Sequence, residues 1–109
     1  LDKKIEIILG PAVNTLKKLK NDKKIFDMIF IDADKENYKN YYDLSFQLVK
    51  KNGFILIDNV LWKGDVANTS KNDQLTKIIR EFNSFIKKDD RIDKTILPLG
   101  DGVTICRKI

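Results

Sequence analysis

The stretch FIDADKENY, residues 30–38, decides the fold together with the apolar run IFDMIFI that leads into it. This run, residues 25–31, is nearly continuous in apolar side chains, which is typical of a strand covered on both faces of a parallel sheet. We therefore predict a central strand here. It stops abruptly at two carboxylates and an amine, those of Asp32, Asp34 and Lys35. A buried strand that ends in charged groups raises the question of what those groups bind.

The patterns on both sides of this strand predict an α/β fold. In chain order, the other predicted elements are a strand over residues 4–9, a helix beginning at Pro11, a helix over residues 36–51 that stops at VKKNG, a strand over residues 54–58, a helix with an apolar face from Leu75 to Ile86, and a hairpin around GDG at residues 100–102. Strands that alternate with helices indicate a mainly parallel sheet. The hairpin adds an antiparallel end.

The length of the chain allows one hydrophobic core, and its residue counts exclude several kinds of metal and catalytic site. At 109 residues with a formal charge of +5, it holds one domain, and its lysines are too scattered to favour nucleic-acid binding. Cys106 is the single cysteine and histidine is absent, which excludes an internal disulfide, Cys/His zinc sites and Ser-His nucleophiles. A reducing, cytoplasmic location without membrane insertion is expected. Because Leu1 enters a strand pattern almost at once, we also expect a missing N-terminal region.

Two predicted strands end in carboxylates that could share one site. Asp32 follows the strand over residues 25–31, and Asp58 ends the next strand. In open α/β sheets, ligands bind beyond the carboxyl ends of the strands. If the two strands are neighbours, both carboxylates face one crevice beside Asn59 and Asp34, where hard oxygen ligands suit Mg²⁺, Mn²⁺ or Ca²⁺. The alternative is that these aspartates only cap helices or form surface ion pairs.

Lys35 and Trp62 each allow a functional and a structural interpretation. Lys35 lies three residues beyond Asp32, where its amine could accept or stabilise a proton near a metal, or could simply be solvated. Trp62 follows Asp58 in a polar loop. Its ring could form a wall for a flat substrate, or could fill a gap in the core.

Three longer stretches carry a resemblance to a known family: FDMIFIDADKENYKNYY at residues 26–42, GFILIDNVLWKGDVA at residues 53–67, and DDRIDKTILPLGDGVTICRKI at residues 89–109. In this order, they closely resemble the C-terminal half of the cation-dependent O-methyltransferases of the caffeoyl-CoA and catechol type. The resemblance covers nearly the whole chain. It implies transfer of a methyl group from S-adenosylmethionine to one hydroxyl of a vicinal diol on an aromatic ring.

The same resemblance assigns roles to the charged strand ends. It implies that Asp32, Asp58 and Asn59 hold the divalent ion, and that Lys35 matches the proposed general base of the catechol branch. Asp32 would thereby also border the bound cofactor and the substrate. Asp34 is implied as a further contact of the S-adenosylmethionine.

The resemblance also places residues around the cofactor and the acceptor. Ala12, in GPA after the first predicted strand, would lie beside the adenine of the cofactor. Trp62 falls where the substrate loop of the family begins. Lys63 stands where the plant enzymes carry an asparagine that touches substrate, so a plant-type substrate preference is in question.

The family resemblance implies that residues 1–109 are the C-terminal portion of one methyltransferase domain, because parts of the family's site are absent from this sequence. The family's seven-stranded sheet has the order 3-2-1-4-5-7-6, and strands 1 and 2 have no counterpart here. Either the chain is truncated, or it pairs with another chain, or its first strand moves. The family is usually dimeric, so a homodimer is expected, and an inactive fragment that serves as an assembly module is the alternative function.

Overall fold

The computed structural model describes residues 2–109 and alternates helices with strands. The regular elements in chain order are α1 Ala12–Asn21, β1 Phe26–Ile31, α2 Tyr38–Leu48, β2 Val49–Asp58, α3 Gln74–Lys88, β3 Ile92–Leu97 and β4 Val103–Lys108. Short 3₁₀ segments cover Asp2–Lys4, Lys35–Asn37 and Trp62–Ala67. Within the described residues, no helix combines the length and apolar character needed to cross a membrane.

The four strands form one mixed sheet in the order β1-β2-β4-β3. β1 and β2 run parallel, with Ile29 opposite Ile55 and Ile31 opposite Ile57. β4 is antiparallel to both of its neighbours. The α/β class, the parallel neighbours and the antiparallel C-terminal hairpin are therefore confirmed.

The helices bury one face of this sheet. Alternate side chains of a strand point to the same face, so Ile31, Ile55, Ile57 and Cys106 all lie under the helices and are at most 5% exposed. The helices contribute a cluster of aromatic rings in edge-on contact, formed by Tyr38, Tyr42, Phe82 and Phe85. This packing fixes the direction in which the carboxyl ends of β1 and β2 point.

The other face of the sheet is apolar but exposed, which corrects the prediction of a central strand. Phe26, Met28, Phe30 and Phe54 share this face and are between 37% and 57% exposed. Within residues 2–109, β1 lies at the edge of the sheet. The continuous apolar pattern is typical of a strand that is covered on both faces. Within residues 2–109, however, the helices cover one face alone.

The strand predicted over residues 4–9 is not formed. Residues 5–9 have no regular structure, and Ile7 and Leu9 are 80% and 91% exposed. A strand is stable when a neighbour accepts its backbone hydrogen bonds. The described residues provide no adjacent strand for this segment, so its β-rich composition is not realised.

The helix predicted to stop at VKKNG ends earlier, at Leu48, and these five residues begin β2. Val49 takes an extended backbone because it pairs with Phe26, and its side chain is buried in the core. Met28 then pairs with Phe54, so β2 bulges between the two pairings. Gly53 sits in the bulge, where a Cβ atom would lie 2.7 Å from Val49 Cγ2.

A buried carboxylate at the end of α3 predicts acid sensitivity. Asp89 accepts hydrogen bonds from Tyr42 Oη at 2.7 Å and from Arg91 Nε at 2.8 Å. These bonds, those to Arg91 first, hold the pKa of Asp89 far below its ordinary value of 3.8. A depressed pKa adds stability that is fully present above the unfolded-state value and is lost as pH falls toward the folded-state value.

We expect Asp89→Asn to lower the free energy of unfolding by about 1–3 kcal/mol at pH 7, because the charge-assisted bonds are weakened. Urea titrations of both proteins should show that the difference in their free energies of unfolding becomes smaller as the pH falls below about 4. If this difference stays constant from pH 7 to the lowest pH measured, the depressed pKa of Asp89 does not contribute to stability as proposed.

Candidate functional site

The carboxyl ends of β1 and β2 meet at one edge of the sheet. Because Ile31 lies opposite Ile57 in the parallel register, the residues that follow each of them emerge side by side. These are Asp32, whose side chain is 55% exposed, and Asp58, which is partly exposed. The two strand ends are therefore neighbours, as predicted.

Lys35 joins the two strand ends. Its Nζ donates hydrogen bonds to Ala33 O at 2.9 Å, to Tyr38 Oη at 2.6 Å and to Asn59 Oδ1 at 2.9 Å. Asp32 Oδ1 lies 3.9 Å from the same nitrogen. Lys35 is only 9% exposed, so it is not the solvated lysine of the structural interpretation. Its three donors are all engaged, which fixes the amine between β1 and β2.

Tyr38 is a site residue that the sequence did not reveal as one. Its hydroxyl accepts the bond from Lys35 and donates to Asp58 O at 2.8 Å, so it links the 3₁₀ turn after β1 to the end of β2. Burial, followed by the negative charge of Asp32, raises the pKa of this hydroxyl well above its ordinary value. In the sequence, Tyr38 lies within the helix predicted over residues 36–51, where a tyrosine is explained by packing alone.

Asn59 is held in place by its neighbours on both sides. It has a positive φ of 62°, its backbone N–H donates to Asp58 Oδ1 at 2.8 Å, and its Nδ2 donates to Asp101 Oδ2 at 3.3 Å. Asp101 also accepts a bond from the backbone N–H of Lys63. The turn GDG therefore supports the site as well as closing the hairpin. In the sequence, this turn indicated a hairpin and belonged to a stretch that carries the family resemblance, but neither signal pointed to a contact of Asp101 with Asn59.

Asp34 contacts α2 through its carboxylate. Tyr41 Oη and Asn37 Nδ2 both donate to it, and these bonds lower the pKa of Asp34. The bond to Asp34 raises the pKa of Tyr41 to about 12. The carboxylate is therefore ionised at neutral pH and its orientation is fixed.

Ala12 and Asp32 line a common cleft of about 290 Å³ between α1 and β1. Tyr41, the partner of Asp34, borders the same cleft. The structure thus brings Ala12 and Asp32, two of the three residues implied as cofactor contacts, to one cleft, and Asp34 contacts it through Tyr41.

Trp62 and Lys63 open the loop after β2, and both have positive φ, 50° and 56°. Trp62 is partly buried and Lys63 is exposed. The Lys63 backbone bond to Asp101 holds this part of the loop next to Asn59. The backbone of Lys63 and the side chain of Asn59 therefore share one acceptor, the carboxylate of Asp101.

The donors at this edge fit a hard cation in chemistry. Asp32, Asp58 and Asn59 offer carboxylate and amide oxygens, the ligands that Mg²⁺ and Ca²⁺ take in proteins. Asn59 Oδ1 is engaged by Lys35 here. Among the described residues, no group of three acidic, cysteine or histidine side chains forms a metal-binding cluster. A metal at this edge would therefore rely on two carboxylates and an amide.

Two solved structures that share this fold are methyltransferases. An SAH-bound methyltransferase of Podospora anserina has a TM-score of 0.81 and 35% identity, over 95% of this chain and 49% of its own. The O-methyltransferase of Bacillus cereus in complex with SAH has a TM-score of 0.83 and 32% identity, over 95% of this chain and 50% of its own. The fold is that of the C-terminal part of an S-adenosylmethionine-dependent methyltransferase.

The sequence comparisons define the family within this class. The O-methyltransferase family model matches residues 1–109, so the chain belongs to this family. The caffeoyl-CoA O-methyltransferase of Medicago sativa is 40% identical over 119 residues, which cover 100% of this chain and 48% of the relative. Caffeoyl-CoA O-methyltransferase 5 of Nicotiana tabacum is 41% identical over 116 residues, with 97% and 48% covered. The chain thus spans about half the length of these relatives.

Proposed function

We propose that the protein containing this chain transfers a methyl group from S-adenosylmethionine to one hydroxyl of a vicinal aromatic diol. The observation that carries the proposal is the buried amine of Lys35, which contacts the ends of both β1 and β2 beside Asp32 and Asn59. A positively charged donor fixed between carboxylate and amide oxygens suits a reaction in which an oxyanion develops.

The oxygen donors of Asp32, Asp58 and Asn59 would hold a divalent cation. When bound, this ion would supply Lewis-acid chemistry that lowers the pKa of an acceptor hydroxyl from about 10, the value of a phenol. Asn59 is suited to this role because its backbone and its Nδ2 are both fixed by aspartates. The choice among Mg²⁺, Mn²⁺ and Ca²⁺ would depend on how many oxygen ligands substrate and water add to complete the coordination of the ion.

To take the proton that leaves the acceptor, the amine of Lys35 would be neutral, keeping its two bonds to Ala33 and Tyr38 and giving up the bond to Asn59 Oδ1. The reaction forms a bond from the acceptor oxygen to the methyl carbon and breaks the bond from that carbon to sulfur, so the hydroxyl proton must be removed. The bonds from Lys35 to Ala33 and Tyr38 keep its nitrogen in place during this step. Most of the rate gain would come from holding oxygen and methyl group together.

Ala12, Asp34 and Asp32 would bind the cofactor, and Trp62 and Lys63 would contact the acceptor. The shared cleft of Ala12 and Asp32 supports the first assignment. The position of the loop after β2, next to Asn59, supports the second. We further propose that the protein acts in the cytoplasm as a homodimer on a small molecule, without nucleic-acid or membrane partners.

Metal titration of the 109-residue chain tests the proposal directly. We expect calorimetry with Mg²⁺ and with Ca²⁺ to show binding that Asp58→Ala abolishes and that Asp90→Ala, a change at an exposed aspartate away from the strand ends, leaves intact. No binding to the wild-type chain would contradict the metal assignment. Methyl transfer by a longer polypeptide that contains this chain, measured with and without a chelator, then tests the reaction.

An inactive assembly module is the second candidate, and one observation favours it. The sheet face with Met28, Phe30 and Phe54 is exposed over the described residues, and apolar surface of this kind marks interaction sites. A module of this type would bind metal without binding S-adenosylmethionine. Repeating the titration with the cofactor present separates the two functions.

A further inference from the structure

Arg80 of α3 binds the loop that follows Trp62 at four positions. Its Nε donates to Val66 O at 3.0 Å, its Nη2 donates to Asp65 O at 3.1 Å and to Asn68 O, and its Nη1 donates to Asn72 Oδ1 at 3.1 Å. Three of these acceptors are backbone carbonyls. One guanidinium therefore fixes the path of the chain across eight residues, from Asp65 to Asn72, without using loop side chains other than Asn72.

The turn of α3 that carries Arg80 is packed firmly into the core. Ile79 and Phe82 flank Arg80 in sequence and are 0% and 4% exposed, so α3 is anchored in the core at this turn. The helix also begins at a firm cap, where Asp73 accepts bonds from both the backbone N–H and the hydroxyl of Thr76. Arg80 thus extends from a fixed point of the core to a loop that is otherwise mostly exposed.

The opposite end of the same loop is held by the hairpin turn. Asp101 accepts the backbone N–H of Lys63 and the Nδ2 of Asn59. The loop is therefore pinned at its start beside the strand ends and along its later part by Arg80. Trp62 and Lys63, the residues assigned to the acceptor, lie at the pinned start, and both have a left-handed backbone.

We propose that Arg80 is a positioning residue that sets the conformation of residues 62–72 and thereby the place of Trp62 at the acceptor side of the site. The assignment of that side rests on the proposed function. The geometry requires arginine: its planar fork reaches several carbonyls at once, whereas the ammonium of a lysine is a compact point charge on a flexible stem. Arg80 touches neither of the strand-end aspartates in this arrangement and acts through the loop alone.

The single tryptophan makes the loop directly observable. Trp62 is the only tryptophan in the 109-residue chain, so its fluorescence reports this segment alone. We expect Arg80→Ala and Arg80→Lys each to raise the acrylamide quenching constant of Trp62 by about twofold, because a loop without its hydrogen bonds opens locally at low cost. Lys77→Ala, at an exposed position one turn earlier on α3, should leave quenching unchanged.

Thermal melting followed by circular dichroism separates loop release from general unfolding. Increased quenching in Arg80→Lys below the onset of melting supports the proposal. Wild-type quenching in Arg80→Lys, or a rise that appears only together with loss of helical signal, overturns it.

In a longer polypeptide with methyltransferase activity, Arg80→Lys should raise KM for the diol by about tenfold, with kcat changed less, because uniform binding is lost. The KM for S-adenosylmethionine should stay as in the wild type. If the fluorescence result holds but the wild-type protein methylates no diol, the proposed function fails and the role of Arg80 in the loop stands. An unchanged KM for the diol in an active enzyme overturns the acceptor-side role.

Discussion

Lys35→Met should reduce methyl transfer by about 10²–10⁴-fold, the range attributed to a positioned acid or base. Methionine has nearly the length of lysine but no donor, so it keeps the packing and removes all three hydrogen bonds of the amine. Tyr38 Oη and Asn59 Oδ1 would then each lose a donor in a largely buried place. We expect a loss of about 1–3 kcal/mol in the free energy of unfolding.

The measurement combines single-turnover methyl transfer by a longer polypeptide with urea titration of the same protein. Lys39→Met is the matched control, because Lys39 lies four residues later and forms an exposed ion pair with Asp43 at 2.8 Å. It should change neither quantity appreciably. Activity of Lys35→Met within tenfold of the control would remove Lys35 from the proposed chemistry.

The part of the fold that places this site could be predicted from the sequence because local and long-range signals agree there. The apolar residues over 25–31 and over 54–58 each predict a strand without reference to the rest of the chain, and both strands are formed. Consecutive parallel strands are usually neighbours. Once they are paired, Asp32 and Asp58 must share an edge. The final hairpin follows in the same way from its turn residues.

The errors arose where the outcome depends on partners outside the local segment. Lysines before a glycine are typical of a helix end, yet Val49 is extended because it pairs with Phe26. The segment over residues 4–9 has strand composition, but a strand also needs a neighbour. In both places, long-range pairing or its absence decided the structure over local propensity.

The candidate site was predicted as a set of donors but not as a network. Asp32, Asp58 and Lys35 stand out because charge at the end of a buried strand is unusual. Tyr38 and Asp101 do not stand out, because a tyrosine on a helix face and an aspartate in a turn each have an ordinary structural explanation. Their contacts with Asp58 and Asn59 depend on side-chain directions that only the folded chain defines.

Gly102→Ala should be strongly destabilising and should disturb the site from the hairpin side. Gly102 has a φ of 86°, and a Cβ atom there would overlap Leu61 Cγ and lie 2.9 Å from Leu61 Cδ1. Because the overlap involves atoms close to the Leu61 backbone, rotation of the side chain cannot relieve it fully. The close approach is fixed by backbone bonds from Val60 N to Gly102 O and from Leu61 N to Asp101 O.

We expect a loss of about 2–5 kcal/mol, the sum of a left-handed alanine and an overpacked contact. Gly100→Ala is the control: its φ is 53°, but nothing lies within 4 Å of the added Cβ, so it carries the backbone cost alone. The difference between the two variants in urea titrations therefore measures the contact with Leu61. Equal losses would show that the turn moves freely away from Leu61, and Mg²⁺ binding would then be equally affected in both variants. A larger loss in Gly102→Ala, with weaker Mg²⁺ binding, would mean that the turn holds Asn59 in position through Asp101.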